Sequence, residues 1–187
     1  MNQPLTQPVN QPTTQPVRIA LVPGVLAFLP EYAGQEDPVA AVRAASVVAA
    51  AWVAEAGPVT VVADEQGARV GRHLLGGAQE GDGSSYLVVA NGSARRNDGA
   101  PGYVDARAVP FDDAVEAALR APDPGALTRL DVGLASELLV GNPDGLVRLG
   151  ELLRGARTVG VDYDGDPYGV AYWVARWESA ENAHRSR

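Results

Sequence analysis

Short apolar runs alternate with helix-spaced stretches along the chain. Val17-Arg18-Ile19-Ala20-Leu21-Val22 is apolar almost throughout, the pattern of a strand covered on both faces, and Pro23-Gly24 ends it. Residues 38–55 are rich in alanine, open on a proline suited to a first helical turn and are followed by Gly57, which predicts a helix. The β-branched run 59–63 and the run 86–90 predict two more strands, with a polar, glycine-rich, loop-like stretch between them. Strand, helix, strand in that order predicts a parallel crossover.

Further along, Phe111, Ala114, Val115 and Leu119 fall at helical spacing, while Asp112, Asp113 and Glu116 point elsewhere and suit an N-terminal turn. Helical pieces over 124–130, 131–140 and 144–155, interrupted by Gly141-Asn142-Pro143, predict a helical layer. Runs 158–163 and 170–177 predict two strands joined by the turn Asp164-Gly165-Asp166-Pro167. The expected fold class is α/β: a three-layer α/β/α arrangement around a mixed, mainly parallel sheet, closed by a C-terminal β-hairpin.

Length turns this pattern into one domain, since 187 residues at 46% hydrophobic bury one substantial core. The domain is placed at 17–178. Before it, Gln-Pro recurs at every fourth residue over 1–16, which predicts an extended, disordered arm with neither the basic nor the apolar region of a secretory signal. The polar tail 179–187 is expected to fray. A net charge of -8 argues against nucleic acid or an anionic membrane as partner. The chain has no cysteine, which closes thiolate and disulfide chemistry and fits a cytoplasmic bacterial protein, and every basic residue is an arginine, a mark of GC-rich coding.

Familiar chemical motifs are missing. The turn after the first strand matches neither nucleotide fingerprint, and Gly92-Ser93-Ala94 runs into Arg95-Arg96 rather than completing a nucleophile elbow. The two histidines, His73, within a loop or short helix, and His184, in the tail, stand far apart with no ligand at motif spacing. Asp162, Asp164 and Asp166 lack the remaining ligands of a calcium loop and read as a hairpin turn.

The stretches 88–96 (VVANGSARR), 100–107 (APGYVDAR), 130–139 (LDVGLASELL) and 163–172 (YDGDPYGVAY) together resemble the B-type branch of the class III extradiol ring-cleavage dioxygenases, in its small actinobacterial form; Memo-like proteins look like more distant relatives. The resemblance is detailed in the second half and loose in the first. It implies a three-layer α/β/α domain and, in active members, a non-haem Fe(II) held by two histidines and a carboxylate, open to a catecholate and dioxygen. One ligand histidine of active members follows the first strand in a Pro-His-Pro-like turn, where this chain has Pro23-Gly24-Val25-Leu26. Their acid/base histidine would lie just after the Ser93 strand end, where this chain has Arg95 and Arg96, which stay protonated and make no normal general base.

The expectation is therefore a catalytically degenerate relative with no catalytic residue, no metal and no cofactor. It would keep a strand-end pocket lined by Asn91, Ser93, Arg95 and Arg96 for a small anionic ligand. The alternative is a divergent metal-dependent oxygenase or hydrolase using carboxylates of Asp64, Asp105, Asp162 or Asp164, with Glu65 as a further substitute beside Asp64. Trp173 and Trp177 fall on one face of the last strand, as core or, together with Tyr172, as a partner surface, and homo-oligomerisation through that strand is a further expectation.

Overall fold

The structure is a computed structural model that describes residues 16–179 except 33, 35 and 84. The expected disordered arm, apart from Pro16, and nearly all of the expected tail lie outside the described residues. Five strands form one sheet in the order β2-β3-β1-β5-β4: β1 (Val17–Val22), β2 (Val59–Val62), β3 (Ser85–Val89), β4 (Ala156–Gly165) and β5 (Tyr172–Ser179). Neighbours β2, β3 and β1 are parallel, and β5 runs antiparallel to both β1 and β4. The sheet is thus mixed, with a parallel half and a C-terminal hairpin, as the patterning predicts. β5 extends to Ser179, which pairs with Val17 and Ala156 rather than joining the tail.

The two faces of the sheet are covered by different parts of the chain. One core packs Ala20, Val22, Leu87, Val89 and Val174 against α1 (Ala40–Ala54) and α2 (Glu65–Leu75). The other packs Ile19, Leu21, Val88, Trp173 and Trp177 against α3 (Ala108–Arg120), α4 (Pro124–Thr128), α5 (Val132–Glu137) and α6 (Pro143–Leu152). Strand alternation sorts neighbouring residues into these two cores. On α1 the buried positions are Val42, Ser46, Ala49, Ala50 and Val53, a narrow stripe of mostly small side chains.

Two expectations are corrected. The stretch between β2 and β3 is no loop, because 65–75 is a helix with Asp64 accepting from the Gly67 N–H at 2.7 Å at one end and left-handed Gly76 at the other. Gly67 and Gly71 hide it in the sequence, and both are needed for close packing: a Cβ at either would stand 3.1 Å from a valine methyl of the sheet. The last strand is also no edge. β5 is hydrogen-bonded to β1 on one side and β4 on the other, so backbone pairing through it to a second copy is closed. Trp173 and Trp177 are buried against the helical layer, with the Trp177 indole N–H donating to the Leu119 carbonyl at 3.3 Å.

Candidate functional site: the strand-end cleft

Because β1, β2 and β3 are parallel, their carboxyl ends open on one side. The chain leaves β1 toward the α1 face and leaves β3 toward the α3 face, so a crevice forms between the two strands, where open α/β sheets bind ligands. A cavity of about 360 Å³ lies there, and an adjoining one of about 180 Å³ shares Gly24, Gln66, Asn91 and Gly141 with it.

Two amides organise this cleft around Gly24. The Gly24 N–H donates to Asn91 Oδ1 at 2.8 Å, and the Gly24 carbonyl accepts from Gln66 Nε2 at 3.0 Å. Each amide is thereby oriented: Asn91 keeps its Nδ2 as a donor and Gln66 keeps its Oε1 as an acceptor. Asn91 is held by its own N–H, which donates to Gly141 O at 3.0 Å. Asn142 Nδ2 donates to the Val89 carbonyl at 2.8 Å and ties the start of α6 to the end of β3. Tyr172 and Tyr168 supply the opposite wall. Tyr172 is 5% exposed, its hydroxyl has no hydrogen-bond partner among the described residues, and burial pushes its pKa up to about 12.

The rim carries a strained residue. Leu139 follows α5 at φ 57, in the left-handed region, and is 46% exposed. Its N–H donates to Ser136 O and that of Val140 to Ala135 O, the hydrogen bonds of a helix terminus that glycine ordinarily occupies. A leucine there costs roughly 1–2 kcal/mol of backbone strain. It lines the cleft all the same.

Of the four residues expected at the site, Asn91 lines both cavities and the other three do not. Ser93 is fully buried and committed: its N–H donates to Asp112 Oδ1 at 2.8 Å, and its Oγ donates to Leu138 O at 2.9 Å and accepts from the Arg95 N–H. Arg96 Nη1 donates to Asp112 Oδ2 at 2.9 Å, and its Nε stands 3.3 Å from Asp166 Oδ2. Asp112, which the helical spacing turns away from the core, is 0% exposed, and burial pushes its carboxyl up against the opposing pull of the Ser93 N–H and Arg96. Arg95 lies by Gly102, and its buried Nε finds no hydrogen bond among the described residues. No motif in the sequence singles out Gln66, Tyr172 or Leu139 as lining the site.

The carboxylates of the metal alternative are dispersed. Asp64 caps α2, Asp105 pairs with Arg107, Asp162 is gripped by Arg176 through two hydrogen bonds of 2.6 and 2.8 Å, and Asp164 accepts from Arg120 at 2.8 Å. Glu65 opens α2 beside its cap. His73 is exposed on α2, and among the described residues no three His, Cys, Asp or Glu side chains converge to hold a metal.

Asp105 sets one pH dependence. The Arg107 side chain, helped by its backbone N–H, holds the Asp105 carboxyl down at about 2, below the ordinary 3.8. A depressed carboxyl stabilises the fold above its ordinary value, and that contribution is lost as pH falls toward about 2. Urea unfolding of Asp105→Asn is therefore expected to show a shallower loss of stability between pH 4 and 2 than the parent chain, and parallel profiles would contradict the pairing.

The chain matches no family model, and comparison with curated proteins and with solved structures finds no similar chain.

Proposed function

We propose that the chain is a catalytically degenerate protein of the class III extradiol dioxygenase kind, cytoplasmic, that binds a small molecule in the strand-end cleft instead of cleaving a catechol ring. What carries this is the state of Gly24. At the place where the resemblance calls for an iron-binding histidine, the backbone of a glycine is clamped by two amides, Asn91 and Gln66. The side chains lining the larger cavity are carboxamide, phenol and aliphatic, and the one carboxylate of the adjoining cavity, Asp64, caps α2 with no imidazole beside it; they do not fit Fe(II), which takes imidazole and carboxylate ligands in this chemistry. Nor does Arg96 replace a catalytic base: it is an ion-pair partner of a buried aspartate.

Binding is supported at the cleft rather than at the arginine pair, because Arg96 is already neutralised by Asp112 and Asp166 and neither arginine lines the two cavities. The carboxylate-metal alternative gains no support, since its aspartates are spent on a helix cap and on three separate arginines.

Ring cleavage tests the proposal. Untagged full-length chain, loaded anaerobically with Fe(II) and then given oxygen with catechol or protocatechuate, is expected to form no ring-cleaved product above an iron-only blank and to retain far less than one iron per chain. Stoichiometric iron with turnover, both lost in Asp64→Ala, would overturn it.

A further inference from the structure

Within that binding function, on which this inference rests, we propose that the strand-end cleft selects an uncharged planar carboxamide over the matching carboxylate. The polar atoms around the cavity are complementary to an amide. Asn91 Nδ2 is a donor and the Tyr172 hydroxyl can donate, both suited to a ligand carbonyl, whereas Gln66 Oε1 is an acceptor suited to an N–H. A carboxylate has no N–H for Gln66, and no arginine lines the cavity to neutralise it. An anion seated there would give up part of its hydration with no counter-charge from the lining.

The Tyr172 hydroxyl points most directly to a ligand. Its side chain lines a cavity of about 360 Å³, and the hydroxyl, open to solvent, makes no hydrogen bond among the described residues, which leaves it free for a ligand. Apolar contact comes from Leu26, Ala94, Val170 and Leu139 in the same open lining, against which one ring can lie. Leu139 is held in its left-handed turn at the rim, where a glycine would remove both strain and wall.

Benzamide and benzoate differ in little but this chemistry and make the probe pair. Calorimetric titration of the full chain at pH 7 is expected to give millimolar binding of benzamide and at least tenfold weaker binding of benzoate. Tyr172→Phe and Gln66→Ala, two independent variants with unfolding midpoints checked beforehand, should each weaken benzamide about fivefold. Leu139→Asn keeps a residue that tolerates the left-handed turn and removes the wall, so it should weaken benzamide without lowering the unfolding midpoint. Benzoate binding as tightly as benzamide, insensitivity to both Tyr172→Phe and Gln66→Ala, or no saturable binding of either probe would overturn the proposal. Iron-dependent ring cleavage is measured separately, so failure of the underlying function and failure of the amide preference are distinguishable.

Discussion

Replacing Asp112 by alanine is expected to destabilise the fold by about 3 kcal/mol, the scale for breaking a buried charge pair. The carboxylate is 0% exposed and joins three segments: it accepts from the Ser93 N–H at 2.8 Å and from Arg96 at 2.9 Å, and Arg96 in turn reaches Asp166 before the last strand. Alanine would strand a buried N–H and leave Arg96 to Asp166 alone. Asp112→Asn retains one acceptor for Ser93 and should lose less, about 1–2 kcal/mol. Because burial raises the Asp112 carboxyl above its ordinary 3.8, the sign of its pH linkage is opposite to that of Asp105: its contribution is full below 3.8 and declines as pH rises through the raised value. Urea unfolding of both variants checks this, and equal stability of Asp112→Ala and the parent chain would contradict the network.

Gly92→Ala is expected to cost about 3 kcal/mol, at the upper end for overpacking, or to abolish folding. A Cβ at Gly92 would stand 2.6 Å from the Ala171 Cβ, 2.6 Å from the Trp173 ring and 2.7 Å from Asp112 Oδ1. None of the three can move cheaply. Ala171 is tied through its carbonyl to the Gly92 N–H at 2.8 Å and through its N–H to Ser93 O, Trp173 is buried, and Asp112 is held by its partners. Thermal unfolding followed by circular dichroism reads the effect directly. An unchanged midpoint would mean that the loop from β3 is not packed against the last strand as described.

Where the sequence is legible, one period dominates. β1 is a six-residue run, apolar but for Arg18, because both faces are covered, and α1 shows as an alanine-rich segment because only small side chains fit its buried stripe. α2 is obscured by its own packing: the glycines that let it lie so near the sheet that an added Cβ would stand 3.1 Å from a valine methyl are the residues that make a sequence look like a loop. Asp112 is misplaced because the apolar spacing starts the helix at Phe111, with Asp112 in a first turn that ordinarily faces solvent, whereas α3 begins at Ala108 and Asp112 falls in its second turn; its partner Arg96 also lies 16 positions away.

The site follows the same rule. Asn91 can be found because it follows a strand directly, at the position open α/β sheets use for ligands. Gln66 and Tyr172 come from a helix and from a strand antiparallel to β1, and they meet Asn91 only through the sheet order β3-β1-β5. No spacing in the chain encodes that meeting. The paired arginines look like the chemistry of the site, yet at least one of them is a structural clamp, and the amides beside Gly24 carry the polar lining instead.

The most direct test of a ligand cleft at the ends of β1 and β3 is a two-dimensional nitrogen–proton spectrum of the full chain titrated with benzamide, with the side-chain amides of Asn91 and Gln66 and the Nε–H groups of Arg95 and Arg96 assigned. The predicted result is saturable shifts of both amides and of the Gly24 N–H, with the arginine signals unmoved. Shifts confined to Arg95 and Arg96, or none at Asn91 and Gln66, would contradict the cleft as the binding site.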